Sequence, residues 1–260
     1  MASVRQRAMA AVGTSALAGL MALAGTPACM GQGEGSGANQ EEVIKGLGVV
    51  PVSFELHPGQ MTAVLTIQND TDREADFQVR PYAWAQPGGT DQLSATDVLV
   101  ASPPLGRVSV GAGQVVRLVL LQPAQAREAS YRVLLDQVPP PPQPGVVGFA
   151  LRLSIPVFAE PSGHVAPHVR WSVQSDGGAY NLVAVNDGGR HDTFRDMALT
   201  AADGRQLALE QNISPYVLAG ATRRWRILAS PGPPREGLRL RARADSGAID
   251  QTVSAPSAGP

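Results

Sequence analysis

The residues in this chain that could do chemistry are few and scattered. His164 and His168 have a spacing that would place both on one face of a helix, but Pro167 lies between them in a segment typical of a linker. A metal site needs further ligands at suitable spacing, so we interpret this pair as two solvated histidines. His191 and Asp192 follow an Asn-Asp-Gly-Gly sequence and are interpreted as loop residues rather than as a catalytic dyad.

Sequence motifs of the common enzyme classes are missing. The chain has no Gly-x-Ser-x-Gly elbow, no His-Glu-x-x-His helix and no phosphate-binding glycine loop before a helix. The formal net charge is -1, whereas nucleic-acid binding needs a concentrated basic surface. The sequence therefore predicts a protein that is not an enzyme, with no cofactor, no metal site and no nucleic-acid partner.

Three charged residues lie inside or at the start of apolar β-type segments. Arg117 lies in VVRLVLL, Glu128 begins the segment EASYRVLL, and Arg152 lies in GFALRLSIPVF. Each could be a surface charge on the solvated face of a sheet, which is the usual place for an arginine in a strand. Because all three charged residues occur in such β-type segments, a functional role for them remains an alternative to the surface interpretation.

The elements that position these residues are strands. Gly (28) and Pro (22) are abundant and the Val/Leu runs are short, a pattern typical of an all-β protein rich in turns. The longest strand signal follows the proline run after Val138. Period-two alternation is typical of a half-buried strand, and here Arg152 lies on the face opposite to an apolar set: Val147, Phe149, Leu151, Leu153 and Ile155.

The N-terminal residues 1–28 resemble an export signal, with Arg5 and Arg7 before an apolar stretch and small residues near Ala28. A short core helix and a membrane anchor are alternatives, but a bilayer span needs about 20 apolar residues, so no stable membrane insertion is expected. Cys29 follows directly. It is either the lipidated cysteine of a bacterial lipoprotein or an incidental residue near a cleavage site.

Changes in composition divide the rest of the chain. Residues 29–46 are rich in Gly, Gln, Glu and Ser and predict a flexible lead. About seven strand segments within residues 47–161 predict an immunoglobulin-like sandwich. A Pro-Ser-Gly-His sequence then marks a boundary, and residues 166–254 predict a smaller second sandwich, followed by a disordered tail at 255–260.

The order of motifs from Val49 to Pro161 resembles the periplasmic chaperones of the chaperone–usher pilus pathway. The matching segments are VVPVSFELHPGQ, LTIQND, FQVRPYAWAQ, ASPPLGRVSVGAGQVVRL, AREASYRVLLDQVPPPP and GFALRLSIPVF. The second domain matches more loosely, through LVAVNDGGRHD. The details look like the archaic branch that assembles Csu or spore-coat-U type pili.

This resemblance implies two immunoglobulin-like domains in a boomerang arrangement and a function in the periplasm. Pilus subunits lack their last strand. The chaperone inserts its own long strand into the resulting groove, a process called donor-strand complementation, and delivers the subunit to an outer-membrane usher. A basic residue between the domains binds the C-terminal carboxylate of the subunit.

Carried over residue by residue, the resemblance assigns the carboxylate anchor to Arg152 and structural charges near the domain interface to Arg117 and Glu128. The family often has a second anchor, an arginine in its first strand. The corresponding position in this chain is Ser53, and the sequence does not indicate which residue takes over that role. Pro104 resembles a cis-proline position of the family. The donor-strand residues are Val147, Phe149, Leu151 and Leu153.

A second function class stays open on the sequence alone. Two β-sandwich domains with an export signal are also compatible with a structural or adhesive protein displayed on the cell surface, anchored through a lipid on Cys29. The two hypotheses differ in whether the long strand near Arg152 is free to pair with another chain.

Overall fold

The computed structural model describes residues 46–139, 150–211, 214–228 and 237–254. Regular structure in these ranges consists of β-strands and one 3-10 turn at Pro87–Gly89. The strands form two immunoglobulin-like sandwiches, so the predicted fold class is confirmed. Within the same ranges, no helix combines the length and the apolar character that crossing a bilayer requires.

The first sandwich contains ten strands that alternate buried and exposed residues. Their bounds are β1 (Leu47–Val50), β2 (Phe54–Leu56), β3 (Thr62–Asn69), β4 (Ala75–Ala85), β5 (Gln92–Ala95), β6 (Leu99–Ser102), β7 (Leu105–Val108), β8 (Gly113–Leu120), β9 (Ala129–Val138) and β10 (Arg152–Ala159). One sheet has the order β1-β3-β8-β6 and the other has the order β2-β10-β9-β4-β5, with β7 also paired to β4.

The core of this sandwich lies between the inner faces of the two sheets. Leu65 and Leu118 face inward from the first sheet, and Val133 and Leu135 from the second, all with almost no exposed surface. Full burial of one such side chain contributes about 1.5–3 kcal/mol. Because side chains alternate along a strand, the outward residues between these positions are left for other contacts.

The first predicted strand is broken in the structure. The sequence predicts one strand through Val49, Val50, Val52 and Phe54, but β1 ends at Val50 in one sheet and β2 begins at Phe54 in the other. Pro51 explains the break, because proline has no backbone N–H to continue the ladder. The bond before Pro51 is cis.

A second cis bond lies near Pro104, where the family resemblance suggests a cis-proline. The structure has it between Ser102 and Pro103, one residue earlier.

The second sandwich contains eight strands. Their bounds are β11 (Val169–Asp176), β12 (Ala179–Asn186), β13 (Asp192–Thr200), β14 (Gln206–Leu207), β15 (Tyr216–Val217), β16 (Thr222–Arg226), β17 (Leu238–Ala244) and β18 (Gly247–Val253). One sheet has the order β11-β12-β16 and the other β14-β13-β17-β18, with β15 also paired to β13.

Aromatic rings fill the centre of the second sandwich. Trp171 packs edge-on against Phe194 at a centroid distance of 4.9 Å and stacks on Trp225 at 5.5 Å. Leu182 and Leu240 are fully buried beside them. Each sandwich therefore has its own core, as a two-domain interpretation requires.

Candidate functional site

Strand β10 has an incomplete neighbour on one side. Along its whole length, from Arg152 to Ala159, it pairs antiparallel with β9. On its other side, β2 pairs in parallel with Val157–Ala159 only. Among the described residues, the backbone of β10 before Val157 therefore has no strand partner on that side. An unpaired strand edge is a template for a strand from another chain.

The predicted donor-strand residues fall partly on this strand. Leu151 and Leu153 are half-buried and pack against the core of the first sandwich, while Arg152 between them is exposed. The alternation predicted for this stretch is thus present in β10. Val147 and Phe149 lie outside the described residues.

Arg152 lies on the outward face of the sheet, bonded to a carboxylate of the same sheet. Its guanidinium donates to Asp136, which also accepts from Arg80 Nη2 at 2.5 Å. Burial alone would raise the pKa of Asp136, but the hydrogen bonds from Arg152 and Arg80 more than offset this, so its pKa lies below the usual value. The single negative charge of Asp136 is therefore shared between Arg152 and Arg80.

Arg132 lies on the same outward face, closer to the second sandwich. It is opposite Pro156 in the β9–β10 ladder, whereas Arg152 is opposite Asp136. Four residues along β9 separate the two levels, which corresponds to about 13 Å.

The guanidinium of Arg132 lies 3.7 Å above the ring of Trp84 and 5.3 Å from that of Tyr216. Burial lowers the pKa of Arg132. Within the described part of the chain, no carboxylate lies within salt-bridge distance of its guanidinium. Arg132 donates to the carbonyl of Ser154 at 3.3 Å, and the charge of Asp91 also acts on it. Among the described residues it is a partly desolvated cation with no carboxylate in direct contact.

An aromatic cluster joins the two sandwiches beside Arg132. Trp84 from β4 and Phe158 from β10 pack with Leu218, and Tyr216 contacts both rings at centroid distances of 5.4 and 5.5 Å. Phe158 follows Val157 directly, so β10 sends one side chain into the core and the next into this junction. The strand with the free edge is thereby fixed against the second sandwich.

A buried ionic group lies on the other side of Phe158. The side chain of Glu128 is fully buried, and its Oε1 lies 2.7 Å from His191 Nδ1. The ring of His191 stacks on Phe158 at 3.6 Å. Arg190 reaches back to the first sandwich and contacts Glu160 at 2.9 Å and Glu55 at 2.5 Å. Breaking a buried pair of this kind typically costs about 3–5 kcal/mol.

A third contact ties the β4–β5 turn to the second sandwich. Asp91 accepts hydrogen bonds from Trp84, Gln86 and Arg223 at 2.9–3.0 Å. Burial alone would raise the pKa of Asp91. Hydrogen bonds from Gln86 and Trp84 and the charge of Arg223 more than offset this, so the pKa lies below the usual value. Gln86 also accepts from the backbone N–H of Leu218.

The other residues assigned from the sequence lie at different places. Glu128 is at the junction. Arg117 is exposed on the outward face of β8, with no ion pair to its side chain in the described ranges. Ser53 is exposed between β1 and β2. His168 pairs with Asp187, and the described residues contain no group of three potential metal ligands.

Sequence reasoning missed three residues of this site: Arg132, Arg190 and His191. One signal for Arg132 was available, because Glu128 and Arg132 are four positions apart in one predicted strand segment, which places them on the same face. His191 was interpreted as a loop residue because it follows Asn-Asp-Gly-Gly, and it does lie just before β13, whereas Asp192 begins that strand. Its partner Glu128 is 63 positions away in the chain. No local pattern reveals such a pair.

Residues 46–164 match the family model described as "Pili and flagellar-assembly chaperone, PapD N-terminal domain". This part of the chain is similar to a PapD-type chaperone domain. The matched range includes strands β1 to β10, and with them the free edge of β10 and Glu128. A comparison with curated protein sequences gave no significant match.

Solved structures of pilus chaperones share the fold over both sandwiches. The chaperone–tip adhesin complex of CsuC and CsuE from Acinetobacter baumannii matches with a TM-score of 0.63 and 20% identity, covering 80% of this chain and 98% of that chain. The SafA pilin–SafB chaperone complex of Salmonella enterica matches with a TM-score of 0.59 and 17% identity, covering 81% and 97%. The E. coli chaperone DraB matches with a TM-score of 0.55 and 17% identity, covering 80% and 99%.

Proposed function

We propose that this protein is a periplasmic pilus-assembly chaperone that holds subunits on β10 and delivers them to an outer-membrane usher. The observation that carries the proposal is the free edge of β10 before Val157, next to a cation at the domain junction. The chaperone domain match and the fold shared with chaperone–subunit complexes support it. Export by residues 1–28 belongs to the same proposal.

In this proposal a strand of the subunit pairs with the free edge of β10. Backbone hydrogen bonds supply the affinity, and inward side chains such as Leu151 and Leu153 enter the open core of the subunit. The same side chains pack on the chaperone's own core in the free protein, so binding exchanges one apolar contact for another. Val147 and Phe149 extend this set as predicted donor residues.

Two arginines on the outward face can receive the C-terminal carboxylate of a subunit. Arg152 is the predicted anchor, but it already binds Asp136, a carboxylate that it shares with Arg80. Arg132 has no carboxylate partner in the described residues and is partly desolvated by Trp84, which strengthens a charge-assisted hydrogen bond. The contacts favour Arg132, and Arg152 stays as the competing prediction.

The test is affinity purification of the tagged protein from the periplasm of pilus-expressing cells, with mass spectrometry of what copurifies. We expect a small β-rich subunit with the unchanged protein, and its loss with Leu153→Asp. Val110→Asp, an exposed position in a turn of the same domain, is the matched control and should retain the subunit.

The two anchor candidates are separated in the same assay. If Arg132 binds the carboxylate, Arg132→Ala should reduce recovery of the subunit about tenfold or more, since a charge-assisted bond to a desolvated group contributes roughly 1.5–3 kcal/mol, and Arg152→Ala should change it little. The reverse pattern would assign the anchor to Arg152. No copurifying subunit with the unchanged protein would overturn the proposed function and direct attention to a lipid on Cys29.

A further inference from the structure

The outward face of the sheet that contains β10 has an excess of positive charge beside the free edge. Three neighbouring strands, β10, β9 and β4, contribute to this face the arginines Arg152, Arg132 and Arg80. Among the described residues, Asp136 is the one carboxylate that contacts any of the three guanidinium groups. Three cations with one anion in contact favour an acidic partner at this edge.

Arg152, the arginine nearest to the free edge, has unused hydrogen-bond donors. Its Nε donates to Asp136, whose other oxygen accepts from Arg80. Neither Nη1 nor Nη2 of Arg152 has a hydrogen-bond partner within the described ranges, and the side chain is 64% exposed. The two terminal nitrogens of a guanidinium can bind one carboxylate through two parallel bonds. Asp136 therefore orients Arg152 and leaves this pair of donors available.

Strand β2 limits how far a strand from another chain can follow β10. It occupies the edge of β10 from Val157 to Ala159, so an incoming strand has the stretch from Arg152 to Pro156. Arg132 is opposite Pro156 in the β9–β10 ladder. A subunit whose terminal carboxylate binds Arg132 therefore ends beside Pro156 and runs in the same direction as β10.

This end point sets the register of the incoming strand. With its last residue beside Pro156, the fifth residue from its C terminus lies beside Arg152. The separation of four positions is even, so the side chain of that residue is on the same face as Arg152. Neighbouring strands are about 4.8 Å apart, which a glutamate or aspartate side chain spans.

We propose that Arg152, oriented by Asp136, selects pilus subunits that have an acidic side chain at the fifth residue from their C terminus. The inference rests on the proposed function and on Arg132 as the anchor of the terminal carboxylate. The two arginines then bind different groups of one subunit. Opposite charges on neighbouring strands attract less strongly than a charge-assisted bond to a desolvated group, so Arg152 adjusts the affinity that Arg132 and the backbone provide.

The experiment measures binding of synthetic nine-residue peptides to the purified protein by fluorescence anisotropy. Each peptide has a free C-terminal carboxylate, valine at the inward positions and threonine at the outward ones. A peptide with Glu at the fifth residue from the end should bind about threefold or more tightly than one with Gln there. The difference should shrink at an ionic strength of about 0.5 M, because salt screens exposed charges.

The position of the glutamate provides a control of identical composition. Moving it to the seventh residue from the end places it beside Ala150, before β10 begins. This peptide keeps its charge and the outward orientation of the glutamate but loses the contact with Arg152. It should bind as weakly as the Gln peptide, and equal binding of the two Glu peptides would overturn the proposal.

Three variants of the protein assign the preference to one residue. Arg152→Gln should remove it, and Arg152→Glu should reverse it, so that a peptide with Lys at the fifth position binds more tightly than the Glu peptide. Arg107→Gln is the matched control, because Arg107 is exposed on β7 of the same sheet and binds Asp76. It should retain the preference for Glu. Circular dichroism of each variant separates loss of binding from loss of fold.

The terminal carboxylate is tested separately with a C-terminally amidated Glu peptide. It should bind about tenfold more weakly than the free acid, and Arg132→Ala should remove this difference. Equal binding of the Glu and Gln peptides, or a preference that survives Arg152→Gln, would overturn the inference and leave the proposed function intact. An effect of amidation that disappears with Arg152→Gln instead would make Arg152 the anchor and also overturn it. Failure of every peptide to bind would count against the proposed function itself.

Discussion

The same five-residue pattern, Asn-Asp-x-x-Arg, forms a turn in each sandwich, with different results. In the first sandwich the buried Asn69 donates to the carbonyls of Arg73 and Val108, both at 2.8 Å. In the second, the buried Asn186 donates to the carbonyls of Arg190, at 2.8 Å, and of Val217 and Leu218, at 3.2 and 3.1 Å. An asparagine amide thus stabilises both turns in the same way.

The difference lies two residues after the asparagine. In the first sandwich, Thr71 donates its own N–H and hydroxyl to Asn69 Oδ1, and the turn is closed on itself. In the second, the N–H of Gly188 makes the corresponding bond to Asn186 Oδ1 at 3.0 Å, but glycine has no hydroxyl. The other bond comes from the backbone N–H of His168 in the linker, at 3.1 Å. Where the first turn has a threonine hydroxyl, the second turn has a backbone group of another segment.

The attached turn then presents its last residues to the first sandwich. Arg190 and the following His191 contact Glu160 and Glu128, whereas Arg73 is exposed and has only a neighbouring aspartate at 3.5 Å. The comparison shows that the position of a turn relative to other segments, more than its own hydrogen bonds, decides whether its charges matter. Four substitutions test this, from the largest expected effect to the smallest.

Glu128→Ala should have the largest effect. It leaves His191 and Arg190 at the junction without their buried carboxylate, and loss of one partner of a buried pair costs about 3–5 kcal/mol. Urea unfolding monitored by tryptophan fluorescence measures the change in the free energy of unfolding. Glu74→Ala, at an exposed glutamate near the first turn, is the control. Equal midpoints for the two variants would contradict the importance of the junction.

Gly188→Ala should come next. A methyl group there would lie 2.4 Å from both the carbonyl oxygen of Ala166 and the backbone nitrogen of His168, so the linker must move. Overpacking of this kind costs about 1–3 kcal/mol. Hydrogen exchange of the His168 amide should become faster. In Asp72→Ala, at an exposed position of the first turn, the His168 amide should exchange as before.

Arg190→Lys should destabilise the protein by about 1 kcal/mol, because one ammonium group cannot reproduce the planar fork that contacts Glu55 and Glu160 together. Arg73→Lys, the matched change in the first turn, should stay within about 0.5 kcal/mol, as is usual for surface substitutions. Thermal unfolding of the two variants side by side gives the comparison. An equal loss in both would show that the turns contribute alike.

The smallest effect concerns pH. The folded-state pKa of Asp91 is lowered, so its stabilising contribution is present above the unfolded-state value of about 3.9 and is lost as pH falls through the folded pKa. Asp91→Asn should therefore be less stable than the unchanged protein at pH 6, and this difference should shrink below pH 4. Urea midpoints at several pH values measure it. A stability difference that grows on acidification would contradict the lowered pKa of Asp91.

Local patterns predicted most of the fold. From Leu238 to Ala244 the sequence alternates apolar residues with arginines, which predicts a strand, and β17 has these bounds. The alternation around Arg152 is present in β10. Both segments have strong period-two patterns, which depend only on neighbouring residues. β5 was missed, because all four of its residues are exposed and give no apolar alternation.

The site was less accessible to sequence reasoning. The strand that contains Arg152 was predicted and Glu128 was singled out, but Arg132 was passed over and His191 was interpreted as a loop residue. Their roles depend on Trp84, Phe158 and the second sandwich meeting at one place. Contacts between residues distant in the chain are set by packing rather than by spacing, and a single sequence does not encode them in any local pattern.

The eight-residue pairing of β10 with β9 has a mechanical consequence. Hydrogen bonds of an antiparallel pair run perpendicular to the strands, so a pull along β10 loads all of them in shear at once instead of breaking them one after another. Phe158, near the end of the strand, transmits the remaining load to the second sandwich through its stacked contact with His191. Strand β10 is therefore held most strongly against forces that act along its own direction.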